Sequence, residues 1–137
     1  IKMGRYADFL NRCKGLKDGT YKFNNLDTPI IPSRDFVTFS SGYQVSFVRP
    51  KENIATVNMD DDKKVVEAIN EFKTQLGSDV FIGVYCGEPE FSFHLSSTPT
   101  TPAISLMRKY NQESIFSWSH KSIITNLHHD HIWEILG

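Results

Sequence analysis

The chain has 137 residues, 39% hydrophobic and 23% charged, a balance that suits one globular domain and excludes a disordered tail. Its formal charge of −1 speaks against a nucleic-acid binder working through bulk charge, because phosphate affinity rests on Lys and Arg. The only cysteines, Cys13 and Cys86, lie far apart and in no motif, so they read as reduced thiols of a cytosolic protein.

No signal peptide is evident, and no apolar run approaches the roughly 18 residues that a membrane helix needs. Met3 reads as the natural start, with Ile1 and Lys2 as non-native residues before it. Residues 5–16 place Tyr6, Phe9, Leu10, Cys13 and Leu16 at intervals of three and four, which predicts a helix with one apolar stripe. Lys17, Asp18 and Gly19 break it. Residues 20–23 read as extended and residues 24–27 as a turn, and Pro29 and Pro32 predict an irregular or sheet-edge stretch next.

Residues 36–39 and 43–48 read as two strands of a hairpin, with Ser40, Ser41 and Gly42 as the tight turn. Residues 54–57 fit either a short strand or a loop. Asp60, Asp61 and Asp62 then open a helix carrying Val65, Ile69, Phe72 and Leu76, and Gly77 closes it.

Residues 79–86 and 90–96 read as strands joined through Gly87, Glu88 and Pro89. Pro102 is placed as the first residue of a further helix capped by Thr101, with Ala103, Leu106, Met107 and Tyr110 on its apolar face. Residues 114–120 and 122–125 are strand-like, and residues 128–136 have room for one or two helical turns. From residue 43 to 120 the order is βαββαβ, the split βαβ pattern. The expected fold is therefore a single α+β domain over residues 1–137. Its centre is a ferredoxin-like sandwich, with the N-terminal helix and hairpin added.

Alternation assigns faces. Val80, Ile82, Val84 and Cys86 oppose Phe81, Gly83 and Tyr85, while Phe91, Phe93 and Leu95 oppose Ser92, His94 and Ser96. If the helices cover the purely apolar faces, Phe81, Tyr85 and His94 stand on the other one. Two readings compete for that face: the N-terminal helix covers it through Tyr6, Phe9 and Leu10, or it is a contact surface. Base stacking on its aromatics is disfavoured, since the basic aromatic motif of RNA-binding sheets is missing.

Candidate chemistry is sparse. His94-Leu95-Ser96 and His120-Lys121-Ser122 resemble the paired His-x-Ser elements of the phosphodiesterase family named for its two histidines. That resemblance implies one histidine as base and the other as acid on a phosphodiester, with Ser96 and Ser122 beside them. The pair is only 26 residues apart, where that family sets one motif in each of two lobes.

His128 and His131 would share a face of a helix and form the one metal candidate, against the plainer reading of a solvated tail. Glu88 and Glu90 read as turn residues, and no glycine-rich phosphate loop is present. No cofactor is expected.

Residues 42–47, 89–94 and 111–116 (Gly-Tyr-Gln-Val-Ser-Phe, Pro-Glu-Phe-Ser-Phe-His and Asn-Gln-Glu-Ser-Ile-Phe) resemble small uncharacterised proteins encoded by bacteriophages. The likeness spans residues 42–126 and implies an accessory protein acting by stoichiometric binding. The expected function is thus a non-enzymatic, cytoplasmic binding protein of phage or mobile-element type, forming an oligomer. Its partner would be a host protein or a small anionic ligand, with nucleic acid and membrane disfavoured. Phe81, Tyr85 and Trp118 are the expected exposed contacts, and Arg49 and Arg108 serve an anionic partner. A small phosphodiesterase using His94 and His120 is the first alternative, and a structural subunit the second.

Overall fold

The computed structural model describes residues 4–23, 36–48, 60–96, 99–109 and 112–127. In chain order these form helix α1 (Arg5–Arg12), strands β1 (Gly19–Lys22), β2 (Phe36–Val37) and β3 (Tyr43–Val48), and helix α2 (Asp62–Leu76). Strands β4 (Val80–Tyr85) and β5 (Glu88–Leu95), helix α3 (Thr100–Lys109), and strands β6 (Ser114–Ser117) and β7 (Ser122–Thr125) follow. The architecture is α+β, with one antiparallel seven-stranded sheet in the order β2-β1-β4-β5-β3-β6-β7.

Both ends of α2 follow from its sequence. The Asp61 carboxylate accepts the Lys64 N–H at 3.3 Å, satisfying one of the donors that every helix start leaves open. Gly77 ends the helix in the left-handed conformation, at φ 62°, which a residue without Cβ adopts at little cost. Between them Val65, Ile69 and Phe72 recur at helical spacing and are buried.

The Phe72 ring lies 5.7 Å from that of Phe93 on β5, and Tyr6 of α1 meets Phe91 edge-on at 6.2 Å. Phe91 and Phe93 share a sheet face, so α1 and α2 cover the same side. Ala103 and Met107 of α3 join that same core with Tyr21, Val45, Ile82 and Ile115. The start of α1 is tied to the start of α2, where the Arg5 guanidinium meets Asp62 at 2.9 Å and the Gly4 N–H donates to Asp60. Exposed pairs of this kind hold geometry more than they add stability.

Strands β4 and β5 are joined by two residues only, Cys86 and Gly87, both with positive φ (51° and 77°). That pair of conformations matches the right-handed twist of the flanking strands. Asp18 fixes the turn, its two carboxylate oxygens accepting the N–H groups of Cys86 and Gly87 at 3.0 and 3.2 Å. Pro89, expected in the turn, instead lies inside β5 opposite Val84.

Several expectations are corrected. The hairpin over residues 36–48 does not form: β2 pairs with β1, while β3 pairs with β5 and β6. Both flanks of β3 are taken by later strands, and Phe39 leaves the expected strand to pack over the sheet. The N-terminal helix does not cover the face that bears Phe81 and Tyr85, because its apolar stripe faces Phe91 on the other side.

Helix α1 ends at Arg12, and α3 begins at Thr100, which puts Pro102 inside the first turn, where its missing N–H costs no helical bond. Strand β6 stops at Ser117, and residues 118–121 turn into β7. The expected elements at 54–57 and 128–136 lie outside the described residues.

Candidate functional site: the helix-free face of the sheet

Cross-strand register places Thr20, Gly83, Phe81, Ser92, His94, Gln44, Phe116 and Ile123 on the face away from α1, α2 and α3, which is helix-free among the described residues. Phe39, from the segment between β2 and β3, lies over this face. Its ring stacks on His94 with centroids 3.7 Å apart and planes at 8°, and meets Phe81 and Trp118 edge-on at 5.5 and 5.3 Å. Phe116 closes the row against Trp118 at 4.9 Å. Edge-to-face pairs of this kind set the positive ring edge against the negative ring face, which favours one arrangement over a loose cluster.

A buried polar line runs beside the aromatics. The Trp118 Nε1–H donates to Gln44 Oε1 at 3.1 Å, and Gln44 Nε2 donates to Ser92 Oγ at 2.9 Å. An indole nitrogen can only donate, so its bond fixes which way the Gln44 amide points. Among the described residues no buried side-chain nitrogen or oxygen lacks a partner.

Besides the Phe39 stack, two hydrogen bonds hold His94. Its N–H donates to Ser78 Oγ at 2.8 Å, the hydroxyl of Ser78 donates to the Asp79 carbonyl at 2.7 Å, and His94 Nε2 lies 2.9 Å from the Ser41 carbonyl. A carbonyl only accepts, so Nε2 carries the proton and is no free base. His120 is exposed in the β6–β7 turn, its Nδ1 3.2 Å from each of the Ser117 and Ser119 hydroxyls.

Both histidines belong to the end of the sheet where β3 begins. Ser41 takes His94, and the next carbonyl, that of Gly42, accepts the Trp118 N–H at 2.9 Å. Among the described residues no hydrogen bond joins the two imidazoles, and Ser96 and Ser122 are both exposed.

The remaining predicted residues scatter. Tyr85 is exposed at 48%, Phe81 is half-buried, and Trp118, expected exposed, retains only 9% of its surface. Cys86 beside it, with smaller contributions from burial, Glu113 and Asp18, holds the Tyr85 phenol above its ordinary range. Arg108 is exposed on α3, on the helical side of the sheet, and Arg49, His128 and His131 lie outside the described residues. Among the described residues no three His, Cys, Asp or Glu side chains gather as a metal site, and no helix is long and apolar enough to cross a membrane.

Phe39, Gln44 and the buried role of Trp118 escape a reading by sequence alone. The signal for Gln44 is parity, since it alternates away from Tyr43 and Val45 within β3. Phe39 gives no such signal, because the run Phe36-Val37-Thr38-Phe39 is as strand-like as any in the chain.

One groove, of about 640 Å³, lies on the opposite side between α2 and α3, lined by Phe72, Leu76, Leu95 and Leu106 with Gln75, Ser105 and Lys109. Only Lys109 among its described lining ionises, and none of the predicted site residues that are described is in that lining. Compared with known proteins, the chain matches no family model, no curated protein and no solved structure.

Proposed function

We propose that the chain is a non-enzymatic binding protein whose contact surface is the helix-free face around Tyr85 and Phe81. The observation that carries the reading is Tyr85, half exposed next to the β4–β5 turn on the sheet face that it shares with Phe81. Tyrosine, with tryptophan and arginine, is among the side chains enriched where protein partners bind. Catalysis is less well supported there, since His94 Nε2, Trp118 Nε1 and the Gln44 amide are all spent on internal bonds.

Of the two partner classes, a protein suits this face better than a small anion. Arg108 stands on the helical side, and around Tyr85 and Phe81 the register sets the carboxylates of Glu88 and Glu90 opposite Tyr85 and Gly83, with Lys22 opposite Phe81. The phage-type accessory role and the cytosolic setting belong to this reading. So does a ferredoxin-like core for β3–α2–β4–β5–α3–β6, supported by β5 lying between β3 and β4, and β3 between β5 and β6. Replacing Phe81 and Tyr85 together with Ala should abolish partner capture and, through the lost Phe39–Phe81 contact, lower the circular dichroism melt only modestly while the fold is kept. Loss of the fold instead would make them core residues.

A second reading, a phosphodiesterase using His94 and His120, is favoured by one observation: both rings belong to the sheet end where β3 begins. It requires Nε2 of His94 to leave Ser41. Hydrolysis of a generic phosphodiester, lost in both His94→Ala and His120→Ala, would support it, and no turnover above blank would end it.

A further inference from the structure

The two edges of the sheet are unlike. β2 is two residues long, whereas β7 is a four-residue strand, Ser122-Ile123-Ile124-Thr125, with no charge and no proline. Among the described residues nothing pairs with its outer side. Soluble proteins guard such edges with lysines, prolines, bulges or shortness, because open N–H and C=O groups recruit another strand. β7 has none of these within its span, and Ile123 stands 40% exposed.

We propose that two copies of the chain pair through β7, edge to edge and antiparallel, about a two-fold axis at Ile123. The register follows from symmetry. A two-fold axis normal to the sheet keeps each face continuous, so directly opposed residues must share a face. The axis then falls on a residue and not between residues.

At Ile123 it opposes Ile123 to the second copy's Ile123 on the helix-free face, and Ile124 to the second copy's Ser122 on the other. Within each sheet Ile123 already sits beside Phe116. The joined face carries Phe116, Ile123, Ile123 and Phe116 in one row, which withdraws the exposed isoleucines from water. An axis at Ile124 would oppose Ile123 to Thr125 and lose that row.

Charge fits the same arrangement. Exposed Lys121 is the turn residue just before β7, and exposed Glu113 lies beside the strand's far end, where the Asn126 N–H bonds the Glu113 carbonyl at 2.8 Å. Antiparallel pairing brings each lysine toward the other copy's glutamate end and keeps like charges apart. The inference does not depend on which partner the Tyr85 surface takes.

The test uses the full chain in a Cys86→Ser background, which removes the exposed thiol. Sedimentation equilibrium should show a monomer–dimer equilibrium, and Ile123→Lys, which sets two cations face to face, should weaken association about tenfold or more. Its unchanged thermal melt would show that the fold survives. Ile123→Cys should cross-link to a dimer when diamide oxidises the opposed thiols, and Ile124→Cys should cross-link far less. A monomer at every concentration would overturn the proposal. So would an Ile123→Lys dimer as tight as the parent, or β7 taking up an unrelated extended peptide in place of a second copy.

Discussion

The His94 imidazole lies flat on the Phe39 ring, their centroids 3.7 Å apart and their planes 8° from parallel. The contact joins residues 55 positions apart and, with the bond from His94 to the Ser41 carbonyl, pins the segment before β3 onto the sheet. It makes the helix-free face a packed aromatic layer instead of an open sheet.

Phe39→Ala removes the ring that touches His94, Phe81 and Trp118 at once. Because Phe39 is half-buried, the expected loss is about 2 kcal/mol, below that of a fully buried phenylalanine. Urea unfolding should show a lower midpoint with an unchanged slope. In a Trp133→Phe background, Trp118 emission should also shift to the red.

Gln44→Leu keeps the volume of the polar line and strips both its bonds, leaving the Trp118 Nε1–H and the Ser92 hydroxyl without their partner. The expected cost is about 2 kcal/mol, most of it desolvation of groups left unpaired. Adding Ser92→Ala to Gln44→Leu should recover part of that loss, so the two substitutions will not add. Denaturant midpoints of the two single variants and the double variant measure this directly.

Gly42 has φ 87°, and a Cβ there would lie 2.3 Å from the Leu95 carbonyl oxygen and 2.8 Å from His94 Nε2. Backbone on one side leaves nothing that can yield. Gly42→Ala should therefore destabilise more than Gly77→Ala, where no atom lies within 4 Å and only the positive φ of 62° is strained. Comparing their thermal midpoints tests the difference between a steric and a purely conformational cost.

Burial pushes the Cys13 thiol up to about 11 from its usual 9.0, against a small opposing pull from Arg12. Between those values the folded chain holds a proton that the unfolded chain releases. The contribution is thus fully present below pH 9 and is lost as pH rises toward 11. Cys86 is exposed, so at pH 8 iodoacetamide should label it and spare Cys13. Midpoints measured from pH 8 to 11 should fall, and Cys13→Ala should flatten that slope.

Local rules carried part of the fold. Asp61 and Gly77 bracket α2 because caps act within a turn of the residues they serve, and the faces of β4 and β5 follow from alternation alone. The partner of β2 is not local. Residues 36–39 have a strand's composition whichever strand they meet, and the neighbours that decide it, β1 and the ring of His94, come from elsewhere in the chain. The site divides in the same way. Parity gives the sheet face of Tyr85 and Phe81, whereas the half-burial of Phe81 under Phe39 and the burial of Trp118 depend on residues reaching across the sheet.

Native mass spectrometry of the protein purified from its natural host, wild type beside Tyr85→Ala, tests the binding reading most directly. The account predicts a protein partner in fixed ratio with the wild type, missing from a Tyr85→Ala variant that still melts as the wild type does. The same bound species on both proteins, or a bare chain that hydrolyses a phosphodiester only while His94 is present, would contradict it.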